Sequence, residues 1–432
     1  MSNDIAHLFN SEQIKKGFLS TTIYFLSNSL SKMVPIVLMP ILTRLLTTAD
    51  YGVVGIFNAL GICVNSVVSV GGTGAVARAY YDRKDAGFDF PAYIFNAILV
   101  NAVLFIVAIL IFTSIYILGI IEISLGVVIA AFLLTVATVL SGYKTKLWIL
   151  QEKAMSYSVF DFSRTVLNVL LSLFLVYFLF RDWSGRVLGI LITDILFSFI
   201  SCILLFKEDG IKFVLRQKYI SDVLKFGIPL IPFAIGWAFV STADRLMLKY
   251  LLGDSSVGIY TVAFTLSTSM LLIVIPLDNT LFPHIYKMYS ENKMETKVRF
   301  VYGFYIYSIA LTAIAFFITV ISPFLLRFLA GESFRSASNY VFWVLMSQVF
   351  LGMNRTANRG IFFVKKTYYA AISVFAAGLV AIVANYLLIQ INGINGAGQA
   401  TFISCGVLFV MNFIFCQKLY PMPWLSLTKI FH

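Results

Sequence analysis

Twelve apolar runs, each about long enough to cross a bilayer, follow one another along 432 residues. A helix needs about 20 apolar residues to span the hydrocarbon core. The runs lie at Phe18–Leu42, Tyr51–Val70, Phe90–Phe112, Ile123–Leu140, Val159–Phe180, Val187–Phe206, Phe226–Leu252, Ser256–Phe282, Phe300–Leu326, Tyr340–Phe363, Tyr369–Ile391 and Ala397–Cys416. Inside hydrocarbon every backbone amide must be bonded within the protein, so such runs fold as helices. Only 12% of the residues are charged, against about 25% in a soluble domain. The chain is read as an all-α integral membrane protein of about 12 spans, with no room for a sizeable domain in water.

The formal charge is +12, with 32 Lys and Arg against 20 Asp and Glu. In a soluble protein this would suggest nucleic acid. Here it follows from topology. With the N-terminus in the cytoplasm, 21 of the 32 basic residues fall at cytoplasmic ends, 6 at outer ends and 5 inside the runs. Basic residues accumulate in cytoplasmic loops, so both termini are expected there and no nucleic-acid partner is implied. Lys15 and Lys16 precede a run of full membrane length without a cleavage pattern, so no secretory signal is read. Cys63, Cys202, Cys405 and Cys416 sit in apolar runs, and His7, His284 and His432 are scattered. Neither set has metal-ligand spacing. No metal and no cofactor are expected.

A polar stretch from Lys207 to Lys225 divides the runs six and six. The expected organisation is an N-lobe over 1–206, a cytoplasmic linker over 207–225 and a C-lobe over 226–432. A shift of 206 residues aligns Leu42–Leu60 with Leu248–Leu266 and matches Leu42, Leu45, Leu46, Gly52 and Leu60 with Leu248, Leu251, Leu252, Gly258 and Leu266. Both segments fall at the outer turn after the first span of a half. Six spans per half is even, so the halves enter the membrane alike, as in a parallel transporter repeat.

Charges inside spans cost about 2.5–3.5 kcal/mol each at a helix centre and mark functional sites. Five cations (Lys32, Arg164, Arg245, Arg355, Arg359) and four acids (Asp161, Asp194, Asp244, Asp278) qualify. Lys32 lies about fourteen residues into its run, roughly 21 Å along the helix, beside Asn28, Ser29 and Ser31. It either lines a cavity or pairs with an acid of another helix. Arg355 and Arg359 are spaced i,i+4 and share a face, as do Asn354 and Asn358, and Ser347 and Gln348 extend the stripe. That face suits an interior cavity; the alternative for Arg359 is to reach the cytoplasmic surface near Lys365. Paired guanidinium groups bind phosphate bidentately and suit a diphosphate. Asp244 and Arg245 are adjacent and expected on different faces, so they should not neutralise each other. Asp244 could take a coupling proton or cation, or pair with the other half. Asp161 and Arg164 read as a local ion pair, and Asp194 and Asp278 as lone acids open to cation coupling. Pro35 and Pro40 in the first span, and Pro229 and Pro232 in the seventh, should bend these helices. Gly71, Gly72 and Gly74 follow no strand, so VGGTGAVAR is a span end or a close helix contact and not a phosphate loop.

The outer turn LLTTADYGVVGIFNAL, the span-two end GGTGAVARAYYD and STADRLMLKYLLGDSSVGIYTVAFTL resemble Wzx-type O-antigen flippases of the multidrug/oligosaccharidyl-lipid/polysaccharide (MOP) exporter superfamily. The most specific piece runs from Asp244 to Tyr260. This resemblance implies a MATE-like fold of two six-helix lobes around a central cavity in a bacterial inner membrane. It implies a polyprenyl-diphosphate-linked oligosaccharide, an O-antigen or capsule repeat unit, moved from the cytoplasmic to the periplasmic leaflet by alternating access. The family's cationic cavity would fall on Lys32, Arg245, Arg355 and Arg359, with Arg78 at the span-two motif position and Asn28, Asn354 and Asn358 as polar lining. A proton or sodium gradient is the candidate drive, polysaccharide polymerase machinery the candidate partner, and a monomer the expected state. The rival readings are a MATE-like exporter of drugs or cations and a polytopic lipid-linked sugar enzyme. An exporter would favour unpaired acids. A polymerase would need a large outer loop, and no outer loop exceeds about fifteen residues.

Overall fold

The structure, a computed structural model, describes residues 31, 33–118 and 123–424. Lys32 and Asn28 lie outside the described residues. Among the described residues the protein is all helix. In chain order the elements are α1 (Met33–Leu45), then α2 (Thr48–Val68), α3 (Gly72–Ala79), α4 (Phe90–Ile117), α5 (Leu125–Leu150), α6 (Ala154–Phe174), α7 (Trp183–Asp209), α8 (Gln217–Gly227), α9 (Ile231–Leu252) and α10 (Asp254–Ser267). They continue with α11 (Leu271–Glu291), α12 (Met294–Leu329), α13 (Val341–Ala357), α14 (Arg359–Phe363), α15 (Tyr368–Asn392) and α16 (Ile394–Leu419). Ten helical segments are long and apolar enough to cross a membrane, besides the shorter α1. Eleven of the twelve apolar runs overlap one of these segments, and the tenth, Tyr340–Phe363, holds the shorter α13 and α14.

The helix ends follow their local sequence. Thr47 and Asp50 cap α2 reciprocally, each side chain bonding the other's backbone N–H, which satisfies two orphan donors. The Asp182 side chain caps α7 by accepting from Ser184 N–H. Pro91 falls in the first turn of α4, and Pro232 in that of α9, where the missing N–H costs nothing. Pro276 and Pro283 lie inside α11 and each removes a helix hydrogen bond.

Small residues set the closest crossings, as expected where lipid offers no hydrophobic push between helices. On α2, a Cβ at Gly52 would overlap the Asp254 carbonyl oxygen of α10; on α10, a Cβ at Gly258 would overlap the Thr48 carbonyl oxygen of α2. Either Cβ would also lie 3.1 Å from the other glycine's amide nitrogen. The repeat of 206 residues relates Thr48 to Asp254 and Gly52 to Gly258. The two halves thus touch through equivalent residues. A second close crossing joins α9 to α15, where a Cβ at Gly378 would lie 2.8 Å from the Gly236 carbonyl oxygen. Gly72 also proves to be a contact: a Cβ there would overlap the Asn101 side chain and the Tyr143 hydroxyl.

The polar stretch between the halves is not an open loop. It holds α8, which buries Tyr219 and Val223, one turn apart, against the first half. Asp222 on α8 accepts from Arg78 and from the Tyr93 hydroxyl at 2.6 Å. Asn96 donates to the Val214 carbonyl and accepts from Arg216 N–H. Nearby, Lys144 is fully buried and donates to Glu208 at 2.8 Å and to Asp209 at 2.5 Å, tying α5 to the end of α7. Lys144→Met leaves the buried Asp209 carboxylate with Gln151 as its remaining donor. Stranding a buried charge costs about 3–5 kcal/mol. The expected result is a clear drop in the unfolding midpoint of the purified protein in detergent, largely recovered in Lys144→Met with Asp209→Asn.

Candidate functional site

The tenth apolar run is broken at Asn358, between α13 and α14. Arg355 lies in the last turn of α13 and Arg359 opens α14. Both reach one carboxylate, Asp278 on α11, which sits between the two helix prolines. Arg359 Nη2 donates to Asp278 Oδ1 at 2.5 Å and to the Asp278 carbonyl oxygen at 3.2 Å. Arg355 Nη1 lies 4.0 Å from Asp278 Oδ2. The Arg359 guanidinium also rests 4.5 Å from the centre of the Phe282 ring, a favourable cation–π placement. Arg359 is only 7% exposed, yet among the described residues its Nε and Nη1 have no hydrogen-bond partner. Buried charged donors are costly when unpaired. Two guanidinium groups around one carboxylate leave a surplus positive charge and two donors unfilled.

Arg355 turns into a cavity of about 360 Å³ enclosed by α9, α10, α13, α15 and α16. Gln348 and Asn354 line it from α13, Asn358 from the break after α13, Trp237 and Ser241 from α9, and Thr401 and Asn412 from α16. Asn412 Nδ2 donates to Asn354 Oδ1 at 2.8 Å and fixes that amide at the wall. Of the stripe expected from sequence, Gln348, Asn354, Arg355 and Asn358 line this space, and Ser347 and Arg359 are not among its lining residues.

Asp244 and Arg245 depart from expectation. The argument from adjacency put them on different faces, but the Arg245 chain folds back until its Nε lies 3.4 Å from Asp244 Oδ1. The flexible arginine stem overrides the Cβ directions. Arg245 also donates to the Ser241 carbonyl at 2.7 Å and stacks 4.1 Å from the Phe264 ring centre. Asp244 is buried and accepts from the Tyr260 hydroxyl at 2.8 Å and from Thr401 at 3.3 Å. This cluster closes the end of the cavity marked by Ser241, Phe264 and Thr401.

The remaining candidates lie elsewhere. Arg164 bonds Asp194 on α7, in place of the expected local pair with Asp161. Asp161 accepts from Ser31 at 2.6 Å. Neither Asp194 nor Asp278 is a lone acid. Arg186, in the first turn of α7, is half-buried and donates to Asn168 and Ser172 of α6. Arg78 lies at the basic end of the bundle, paired with Asp222 and apart from the cavity. Tyr260, Thr401 and Asn412 escaped the sequence reading. Tyr260 belongs to the quoted VGIY motif; Thr401 and Asn412 carry no signal in their apolar run.

Comparison with known proteins agrees with this architecture. A family model described as "Polysaccharide biosynthesis protein" matches residues 19–289. A protein of Haemophilus influenzae (strain ATCC 51907 / DSM 11121 / KW20 / Rd) named for the Lsg locus is 24% identical over 345 residues, covering 77% of this chain and 81% of that protein. Among solved structures, an inward-facing multidrug resistance MATE family transporter of the MOP superfamily superposes with a TM-score of 0.69 at 14% identity, covering 92% of this chain and 94% of the other. An outward-facing MATE transporter gives 0.59 at 15% identity, with 93% of each chain covered. The fold is that of the MOP exporters.

Proposed function

Because the chain belongs to the polysaccharide biosynthesis protein family, a family of membrane proteins with the MOP transporter fold, we propose that it carries a polyprenyl-diphosphate-linked oligosaccharide between leaflets. The observation that carries the reading is Arg359, buried with two guanidinium donors unfilled, beside Arg355 at a cavity wall. A diphosphate offers the acceptors and the negative charge that this pair lacks. The sugar needs a wet, amide-lined space, which Asn354, Asn358 and Gln348 supply. The prenyl chain can remain in the lipid.

In this reading the basic end of the bundle faces the cytoplasm, the membrane is a bacterial inner membrane, and the two halves rock in alternating access around the cavity. Lys32, outside the described residues, is a further candidate for the cationic lining. O-antigen and capsule units are the candidate cargoes, and the polymerase that extends them is the candidate partner. The test is deletion in a bacterium whose surface glycan depends on this gene. Loss of surface glycan with repeat units trapped on the cytoplasmic leaflet supports the reading. Intact glycan with sensitivity to cationic drugs instead transfers the chain to the drug-exporter reading, which the MATE-like fold also accommodates.

Asp244 is the proposed coupling site, because its carboxylate is held by groups that can each be released, Tyr260, Thr401 and Arg245. Asp244→Asn keeps the volume and removes the charge. The expected outcome in proteoliposomes is binding of lipid-linked substrate within about threefold of native. Its acceleration by an imposed proton or sodium gradient is abolished. An unchanged gradient response would move the coupling to Asp161, Asp194 or Asp278.

A further inference from the structure

A second cavity, of about 440 Å³, lies between α11 and α12 towards the basic end of the bundle, within the roughly 300–1,000 Å³ range of small-molecule sites. Leu281, Ile285 and Met288 line it from α11, and Phe300, Phe304 and Tyr307 from α12. Each triplet has the spacing of one helix face. The α11 stripe continues, three residues earlier, into Asp278. At the inner end Tyr307 donates to the Gly352 carbonyl of α13 at 3.4 Å, and Thr356, which stands between Arg355 and Arg359 in the chain, joins the lining. At the mouth the rim carries His284, Lys287, Glu291 and Arg299, with Lys287 3.9 Å from Glu291 and Arg299 3.0 Å from Glu295. The cleft is thus an apolar channel about 15 Å long, ion-paired at its mouth and running towards the arginine pair. Gly303 of α12 faces it, and a Cβ there would meet nothing within 4 Å. The glycine leaves the channel open.

We propose that this cleft binds the first isoprene units of the polyprenyl chain, while the attached diphosphate reaches the unfilled donors of Arg359. The inference rests on the diphosphate reading above and adds a place for the hydrocarbon. Two features favour this occupant over a bilayer phospholipid. The channel runs towards buried guanidinium donors, and its α11 stripe continues into Asp278 of the charge cluster.

The experiment uses the full-length protein in nanodiscs, with binding read by microscale thermophoresis. The probes are inorganic diphosphate, geranyl diphosphate and farnesyl diphosphate, and a single-chain lysophospholipid serves as competitor. For the native protein, affinity is expected to rise at least tenfold from inorganic diphosphate to farnesyl diphosphate. Gly303→Trp fills the channel and should erase that gain while leaving inorganic diphosphate binding within twofold. Gly303→Leu should erase part of it, and retained inorganic diphosphate binding certifies that either variant is folded. Arg359→Gln should weaken all three probes. If Gly303→Trp and Gly303→Leu both bind farnesyl diphosphate like native protein, the cleft proposal is overturned and the diphosphate reading stands. Equal displacement of farnesyl diphosphate by the lysophospholipid assigns the cleft to bulk lipid and overturns it as well. If no probe binds the native protein, the diphosphate reading itself falls.

Discussion

Arg359→Gln is expected to lower translocation of lipid-linked oligosaccharide by about two to four orders of magnitude, with the protein still inserted and folded. The side chain stays polar and nearly as long, but its charge and forked donors are lost. A hydrogen bond to a charged group contributes about 1.5–3 kcal/mol, and each 1.4 kcal/mol is a tenfold change. Loss of two such bonds to the diphosphate gives the stated range. Arg359→Lys restores the charge without the planar fork, so it should recover only about a tenth of native transport. Asp278→Asn tests the other side of the cluster. It frees both arginines, so substrate should bind more tightly and leave more slowly, with turnover down about tenfold. A fluorescent lipid-linked substrate in proteoliposomes separates these outcomes, since binding and leaflet exchange can be read apart. Native transport by Arg359→Gln would remove this arginine from the site.

The second large effect is expected at the α2–α10 crossing. Gly52→Leu puts a side chain where the Asp254 carbonyl now lies, and neither backbone can yield without separating the helices. Overpacking alone costs about 1–3 kcal/mol, and a backbone collision costs more, so the crossed arrangement should lose at least tenfold in population. Under the proposed alternating access this end closes once per cycle, so transport should fall by at least the same factor. Hydrogen exchange provides the direct readout. Amides around Thr48–Gly52 and Asp254–Gly258, slow in the native protein, should exchange quickly in Gly52→Leu, while those of the α9–α15 crossing at Gly236 and Gly378 stay slow. Gly52→Ala should give a smaller shift in the same direction. Unchanged exchange in Gly52→Leu would rule the crossing out as a moving contact.

The all-helical membrane architecture was legible because a bilayer demands long apolar helices and tolerates few charges, and ten described helical segments meet that demand. The interior stripe was legible too, since Gln348, Asn354, Arg355 and Asn358 repeat on one helix face. What stayed hidden depended on register between helices. Nothing in the sequence of α11 says that Asp278 stands level with Arg355 and Arg359, or that Arg164 meets Asp194 before Asp161. Asp244 and Arg245 were misjudged because Cβ directions ignore the reach of a long side chain. Tyr260 and Thr401 were invisible as carboxylate partners, because a hydroxyl in an apolar run is ordinary until its neighbour is known. Gly52 and Gly258 were visible as repeat equivalents, but not as a pair in contact.

That contact follows the rule of an isologous interface, in which residue i of one unit meets j of the other and j meets i. Thr48 meets Gly258 as Asp254 meets Gly52. Between two identical six-helix subunits, every substitution at such a seam would act twice, and only changes tolerable on both sides at once could persist. A single continuous chain escapes that constraint: each half varies alone. One turn further along the seam it has done so, where Gly55 of one half faces Thr261 of the other.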